Sequence, residues 1–345
     1  MKINDIFLRI TLLRFPLIIF VIMLHANATV YPVTNFGLEY YIRNYLSNSM
    51  ASIAVPLFFT ISGYLFFQSF EFSWYNYINK IKKRTSSLFI PYVFWNAMVL
   101  IVFLCVQNIP ELSHFLSGQN KNILDYNVFD FINAFVGIGG YPIAYHFWFI
   151  RDLIFLVILS PILYIAISKF KFMSIAVPLF LWLFFENKFS FILIKPLLFF
   201  VLGGWASYWF KEKIISFIDE HFKITLFLFF ISSNMNVITI GQSFHEIIHN
   251  LNIILGIKMV LSICKFAKDR VTLKLNDLSH MSFFVFALHE PLLTVCSRIF
   301  GKIFNHNILS TYIGPVIATI FICYFVHTIL NRIAPNFLNV ISGGR

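Results

Sequence analysis

Charged residues are scarce in this chain, and so is cysteine. Asp, Glu, Lys and Arg make up 12% of the 345 residues, whereas roughly 25% is usual for a soluble domain. With 59% hydrophobic residues and 45 phenylalanines, the composition excludes a water-soluble fold and indicates a polytopic membrane protein. The four cysteines fall within apolar segments, where cysteine behaves as a small hydrophobic residue, so they give no evidence of disulfides.

Apolar segments long enough to cross about 30 Å of hydrocarbon recur along the whole sequence. They lie at 10–28, 54–70, 88–107, 146–167, 172–188, 191–210, 223–240, 251–267, 280–300 and 310–331. We therefore predict an all-α bundle of about ten transmembrane helices, which forms a single membrane domain over residues 1–345. The shortest two segments, 172–188 and 251–267, contain Glu186 and Lys258.

The basic residues predict which side of the membrane each loop faces. If the N-terminus is cytoplasmic, 17 of the 26 Lys and Arg residues lie on the inner side. The outer side then contains only Arg43, Lys121, Lys188, Lys195, Arg298 and Lys302. This asymmetry follows the positive-inside rule and predicts that both termini are cytoplasmic. The net charge of +11 is then a topology signal and does not indicate nucleic-acid binding.

The same topology predicts two long outer loops, 29–53 and 108–145, which are long enough to be lids or binding loops.

The first apolar segment contains two ionisable residues, Arg14 and His25. Such residues at membrane depth are costly and usually face the interior of a bundle. Eleven residues at about 100° each amount to roughly three turns, so both side chains lie on one stripe of the helix, about 16 Å apart along its axis. This segment is the first candidate for a functional site.

Two further segments combine polar groups with apolar surroundings near the second and third helices. Ser62 and Gly63 lie within a Phe-rich stretch, where small residues typically let another helix approach closely. Lys80, Lys82, Lys83 and Arg84 form a basic cluster before the third helix. That cluster is either a topology signal alone or a site that holds phosphate groups.

The fourth and ninth helices contain the remaining candidates. Trp148, Arg151 and Asp152 lie near the start of the fourth helix. Arg151 and Asp152 either neutralise one another or, because adjacent helical side chains point about 100° apart, each pair with another helix. In the ninth helix, His289 and Glu290 precede Pro291, which frees a backbone carbonyl. His289 is there either as a structural histidine or as part of the site.

These segments together resemble the membrane-bound acyltransferase family three. The resemblance rests on five motifs in order: Arg-x(10)-His from Arg14; Phe-Phe-x-x-Ser-Gly-Tyr from Phe58; Leu-x-x-Pro-Tyr-x-x-Trp-Asn from Leu88; Trp-Phe-x-Arg-Asp-Leu from Trp148; and Ser-x(6)-His-x-Pro from Ser282. Each motif is weak alone, but the ordered set spans most of the chain. The chain departs from many relatives at Leu88, where they have a second arginine.

The resemblance implies a multi-pass enzyme of the bacterial inner membrane that needs no permanently bound cofactor and no metal. Such an enzyme moves an acyl group, usually acetyl, from acyl-coenzyme A to a hydroxyl of a surface glycan or lipid-linked saccharide within membrane lipid. His25 is the expected base, with His289 as the second choice, because imidazole titrates near neutrality. Arg14, Arg84, Lys83 and Lys82 are the expected contacts for the acyl-coenzyme A co-substrate. Ser62, Trp148, Arg151, Asp152 and Glu290 are expected to bind substrate or support the site.

Two other functions compete with acyl transfer. His245-Glu246-x-x-His249 matches the zinc-protease pattern, in which two histidines on one helical face hold the metal. The sequence supplies no third ligand in a suitable context. A glycan or lipid transporter would also suit a bundle with intramembrane charges, although the sequence contains no evident inverted repeat.

Overall fold

The computed structural model of the protein describes residues 2–29, 37–68, 70–109, 121–138, 140–185, 193–304 and 307–344. Within these residues the chain is helical and contains no β-strand. The α-helices are α1 (Lys2–Thr29), α2 (Leu38–Asn44), α3 (Ala54–Phe67), α4 (Trp74–Arg84), α5 (Ile90–Asn108), α6 (Val128–Val136), α7 (Trp148–Ile158), α8 (Ser160–Phe170), α9 (Met173–Phe185), α10 (Ile194–Trp205), α11 (Ile214–Asp219), α12 (Phe222–Ile238), α13 (His245–Ile263), α14 (Asp269–Ser279), α15 (Ser282–Ile303), α16 (Ile308–Ile333) and α17 (Pro335–Ile341).

Six helical stretches in the described residues are long and apolar enough to cross a membrane. They are Asp5–Asn27, Leu38–Phe67, Trp74–Asn108, His245–Phe266, Ser282–Ile303 and Ser310–Ile333. The bent pair Tyr145–Ile158 and Ser160–Phe170 is a seventh candidate if the two helices together form one span. The protein is therefore an all-helical, multi-pass membrane protein. Helices α9, α10 and α12 lie at the three remaining predicted spans but are shorter, so ten crossings and the placement of the termini stay predictions. Lys188 and part of the span at 172–188 fall outside the described residues.

The fourth predicted span is not a single straight helix. The sequence predicted one helix over 146–167, whereas α7 and α8 meet at a bend of 65°. Pro161, near the start of α8, has no backbone N–H with which to continue the hydrogen-bond ladder of α7, and its ring crowds the preceding turn. The bend directs α8 away from the axis of α7.

The predicted outer loop over 29–53 is wrong for residues 38–53, which are helical and lead directly into α3. Four of its polar residues, Arg43, Asn44, Ser47 and Ser49, are buried. The Ser47 hydroxyl lies 2.8 Å from the Tyr312 hydroxyl, and the Ser49 hydroxyl donates to the Ser233 carbonyl at 2.8 Å. Buried polar groups of this kind are stable in hydrocarbon because they hydrogen-bond one another.

The predicted outer loop 108–145 also contains a short helix, α6, in its described part. Asn127 and Asp130 form a capping box at its start, which satisfies two of the free amides there. Hydrogen bonds from Lys121 and the Asn127 amide hold the pKa of Asp130 below its usual value. Gly137 ends the helix in the left-handed region, at φ 63°, which glycine adopts without strain. Gly139, in the same loop, lies outside the described residues.

Helix α1 lies at the centre of the bundle and packs against α3, α14, α15 and α16. It continues through Pro16 without a break. Near its start, the Arg9 guanidinium forms a paired contact with the Asp219 carboxylate at 2.7 and 2.8 Å and also donates to the Leu261 carbonyl at 3.1 Å. These contacts connect α1 to α11 and α13, so the helix that contains Arg14 and His25 is held at its beginning.

Helices α3 and α10 cross at two glycines, as the small-residue motif at Ser62-Gly63 predicted. A Cβ at Gly63 would lie 1.9 Å from the Phe200 carbonyl oxygen, and one at Gly203 would lie 1.9 Å from the Thr60 carbonyl oxygen. Each glycine thus faces the backbone of the opposite helix. This close approach fixes α3, and with it the side of α3 that contains Ser62.

We predict that Gly63→Ala destabilises the protein, because the new methyl group overlaps backbone that cannot move aside. Overpacking of this kind costs ~1–3 kcal/mol of unfolding free energy or more. Thermal unfolding of the purified protein in detergent measures the effect. Gly37→Ala is the matched control, since a Cβ there meets no atom within 4 Å. Equal unfolding temperatures for the two variants would contradict the proposed crossing.

Candidate active site

One cavity, of about 170 Å³, lies between α1, α3, α7 and α15 and extends along the stripe of α1 that contains Arg14 and His25. Its polar and ionisable lining residues are Arg14, His25, Ser62, Arg84, His146, Trp148, Ser279 and Ser282. Between them the wall is apolar and rich in phenylalanine. We call the part near Arg14 and Arg84 the arginine end, and the part near His25 and His146 the histidine end.

The arginine end contains two cations without a counter-ion. Neither Arg14 nor Arg84 has a hydrogen bond or an acidic partner among the described residues, and the two guanidiniums are close enough to repel each other. Two unpaired cations in a cavity favour an anionic ligand. Leu88 also lines this cavity but is apolar, so Arg84 provides the second positive charge at this end.

At the histidine end, His25 is connected to Glu290 through Tyr145. The Tyr145 hydroxyl donates to Glu290 Oε1 and lies 3.1 Å from His25 Nδ1, while Thr294 donates to Glu290 Oε2 at 3.2 Å. Because the only proton of the tyrosine hydroxyl goes to Glu290, its oxygen accepts a hydrogen bond from His25 Nδ1. This pattern leaves His25 Nε2 as the unprotonated nitrogen, the one that can act as a base.

Two more histidines surround His25, and backbone carbonyls of α15 orient both. Pro291 has no N–H to donate to the Ala287 carbonyl four residues earlier, and His146 Nε2 donates to that carbonyl instead, at 3.2 Å. His289 Nδ1 donates to the Phe286 carbonyl at 2.6 Å. The ring centres of His25 and His289 are 5.2 Å apart. The proline therefore fixes the histidine end by releasing a carbonyl, and His289 adjoins the site without lining the cavity.

The predicted basic cluster divides into two faces of α4. Arg84 lines the cavity, whereas Lys82 and Lys83 are exposed on the other side of the helix. Lys80 lies over the rings of Phe66 and Phe70, at 4.9 and 4.8 Å. Of the four cations, Arg84 alone among the described residues reaches the cavity.

Arg151 and Asp152 bind each other, at 2.8 Å between Nε and Oδ1. Of the two alternatives that the sequence left open, the structure has mutual neutralisation, because the long Arg151 side chain reaches back across the 100° that separates adjacent side chains. Arg151 Nη1 also donates to the carbonyls of Val136, Gly137 and Gly140. Together these bonds hold the segment that leads from α6 to Tyr145 and His146. Neither Arg151 nor Asp152 lines the cavity.

Tyr145 and His146 were missed as site residues in the sequence. They form a single turn before α7, and nothing local indicates that they meet residues of α1 and α15. One signal was available: Pro291 frees a carbonyl that needs a donor from another segment, and His146 precedes the Trp148 motif by two residues. His146, a hydrogen-bond donor next to that motif, was therefore a candidate partner for the carbonyl that Pro291 leaves free.

The zinc-protease pattern does not assemble into a metal site in the described part of the chain. His245 and His249 have ring centres 6.0 Å apart on the first turns of α13, and His245 Nδ1 lies 3.1 Å from the Thr239 hydroxyl. No third His, Cys, Asp or Glu among the described residues joins them. Neither histidine lines the cavity that contains Arg14 and His25.

A family profile described as an acyltransferase domain matches residues 7–328. The chain belongs to the acyltransferase 3 family. It is 26% identical, over 98% of its own length and 92% of the relative's, to the succinoglycan biosynthesis protein ExoH of Rhizobium meliloti (strain 1021). No solved structure is significantly similar to the chain. The family assignment makes this membrane protein an acyltransferase, in agreement with the five motifs.

We predict that Tyr145→Phe lowers kcat about 10–100-fold, by analogy with the loss that follows removal of a hydrogen bond orienting a metal-binding histidine. Without the hydroxyl, His25 Nδ1 loses its partner and the ring is free to rotate. Steady-state acyl transfer at saturating donor measures kcat, and the KM for donor should change little. Tyr141→Phe is the control, because Tyr141 is 65% exposed. Equal activity of both variants would show that the tyrosine does not orient His25.

Proposed function

We propose that the protein transfers an acyl group, most simply acetyl, from acyl-coenzyme A to a hydroxyl of a polysaccharide or lipid-linked saccharide at the bacterial inner membrane. The observation that carries this proposal is that one cavity has two cations without a counter-ion among the described residues at one end and an oriented histidine at the other. Acyl-coenzyme A has the same layout, with phosphates and a reactive thioester at opposite ends of a thin arm. The protein itself needs no bound cofactor for this reaction.

The length of the cavity supports acyl-coenzyme A as the donor. Arg14 and His25 are eleven residues apart on one unbroken helix, about 16 Å along its axis. The arm of coenzyme A has about thirteen bonds between the sulfur and the first phosphorus, or ~15 Å at the reach per bond of an extended peptide chain. A phosphate beside Arg14 and Arg84 therefore brings the thioester to His25, with the phenylalanine-rich wall around the arm.

His25 acts as the general base in this proposal. Its Nε2 takes the proton from the acceptor hydroxyl as the oxygen attacks the thioester carbonyl and a C–O bond forms. The tetrahedral intermediate then collapses, the C–S bond breaks, and the leaving thiolate takes up the proton from His25. Glu290 acts through Tyr145, because it holds the imidazole in one tautomer and stabilises the cation that forms. Pairing of the donor phosphates with the partly buried guanidiniums of Arg14 and Arg84 positions the donor for this reaction.

The developing oxyanion needs a donor, and we assign this role to the Trp148 indole N–H. Trp148 lines the cavity, and its N–H has no partner among the described residues. In a site without water, a single positioned donor is worth several kcal/mol to the transition state, ~2.7–4 in a well-studied protease. Ser62, on the opposite wall, contacts the acyl-donor arm.

The relative supports a polysaccharide acceptor. ExoH is named for the biosynthesis of succinoglycan, a polysaccharide, and the similarity covers nearly the whole chain. The enzyme lies in membrane lipid, and a lipid-linked acceptor reaches it by diffusion within the same membrane. A transporter without enzymatic activity is the alternative function, and it would leave the thioester of acyl-coenzyme A intact. Release of coenzyme A thiol by the purified protein therefore tests the proposal directly.

We predict that Arg14 and His25 variants differ in kind. His25→Gln should lower kcat about 10²–10⁴-fold, the typical contribution of a general base, while the affinity for acetyl-coenzyme A stays nearly unchanged. Arg14→Lys should weaken that affinity roughly tenfold or more, because a point charge does not replace a planar charged donor, and kcat should fall less. Calorimetric titration measures the affinity and thiol release measures kcat. Equal losses of affinity in both variants would refute separate roles.

We also predict that substitutions within the basic cluster raise the KM for acyl-coenzyme A by different amounts, according to whether the residue lines the cavity. Arg84→Gln should raise the KM for acyl-coenzyme A about tenfold or more, since a charge-assisted bond is worth ~1.5–3 kcal/mol. The double variant Lys82→Gln, Lys83→Gln should raise this KM far less, and added salt should abolish the increase. Exposed cations attract the coenzyme A phosphates only through charge that solvent and salt screen. Cysteine labelling of the loops confirms that topology is preserved. A larger effect from the lysine pair would place the phosphates outside the cavity.

A further inference from the structure

One polar group in the cavity has no partner in the scheme above. The hydroxyl of Ser282 is buried, with the residue 6% exposed, and it makes no hydrogen bond to any described residue. Ser282 nevertheless lines the cavity. A buried hydroxyl without a partner costs about 1–3 kcal/mol. Of the buried hydroxyls without a partner in the described residues, only that of Ser282 belongs to a residue of this cavity wall, where a ligand can supply the missing hydrogen bond.

The position of Ser282 determines which part of a ligand it meets. Ser282 and His289 lie on α15, seven residues and therefore about 10 Å apart along the helix axis. The His289 ring is 5.2 Å from that of His25, so Ser282 lies about 10 Å from the reacting atoms. Arg14 lies about 16 Å from His25 on the parallel stripe of α1. Ser282 is therefore between the two ends, closer to the arginine end.

We propose that the Ser282 hydroxyl hydrogen-bonds the second amide of the pantetheine arm and makes the enzyme selective for donors that have it. This inference rests on the proposed function. About 10 Å from the thioester sulfur corresponds to eight or nine bonds of an extended chain. In coenzyme A the carbonyl of the second amide is eight bonds from the sulfur. Its neighbours in the cavity wall, Phe283 and Phe286, offer that amide no other hydrogen-bond donor in their side chains.

The same hydrogen bond explains selectivity. A site with a buried polar group rejects ligands that cannot satisfy that group, because the group is then left without a partner. A short thioester that ends after the first amide leaves Ser282 unpaired. The full donor pairs Ser282 and also places its phosphates beside Arg14 and Arg84. Ser282 thus distinguishes donors by the middle of the arm, separately from the phosphates.

The test compares two donors on the purified full-length protein: acetyl-coenzyme A and S-acetyl-N-acetylcysteamine, which stops after the first amide. We expect Ser282→Ala to reduce the preference for acetyl-coenzyme A, measured as the ratio of kcat/KM values, about 3–10-fold, the worth of one neutral hydrogen bond. Ser282→Thr, which keeps a hydroxyl, should retain the preference. Ser207→Ala is the matched control, because Ser207 is an equally buried hydroxyl without a partner that does not line the cavity.

The outcomes separate this inference from the proposed function. An unchanged donor preference in Ser282→Ala, or an equal change in Ser207→Ala, overturns the role of Ser282 and leaves the acyltransferase proposal intact. Failure of the wild-type protein to bind or turn over acetyl-coenzyme A overturns both. If Ser282→Ala does not fold, Ser282→Cys replaces it, since a thiol of nearly the same size is a weak hydrogen-bond donor. Thermal unfolding identifies that case.

Discussion

Polar groups within hydrocarbon must find their hydrogen bonds inside the protein, and the arrangement of this bundle follows from that constraint. The clearest example is the carbonyl of Ala287, which Pro291 deprives of its helical partner and which His146 satisfies. That one bond connects α15 to the turn before α7. Since the same turn contains Tyr145, it also brings the hydroxyl that connects His25 to Glu290. A proline in one helix thus helps to place the hydroxyl that contacts His25 in another.

Much of this site could be predicted from sequence because its residues lie within apolar segments, where any polar residue stands out. Arg14, His25 and Ser62 were singled out in this way. Arg84 was predicted from the basic cluster and Trp148 from the motif of the fourth helix, and the structure brings all five residues to one cavity. Their helices could be predicted too, since each apolar run is long enough to fold as a helix in lipid. The bend at Pro161 was equally readable in principle, because proline interrupts a helical ladder wherever it occurs.

The features that could not be predicted depend on contacts between distant segments. Tyr145 meets Glu290 across 145 positions of the chain, and no local pattern encodes that pairing. Residues 38–53 were predicted as a loop although they are helical. Their polar side chains are buried by partners such as Ser233 and Tyr312, which belong to helices much later in the sequence. Arg151 and Asp152 are a local case that helix geometry alone does not predict. Adjacent helical side chains point about 100° apart, but the long, flexible Arg151 side chain still reaches Asp152.

Because α1 passes Pro16 unbroken, helix geometry alone sets the axial spacing of Arg14 and His25, at about 16 Å. In the proposed reaction that spacing acts as a ruler for the donor. A thioester whose anionic group lies at Arg14 reaches His25 only if its arm spans that distance, so the length of one helical segment selects the length of the substrate.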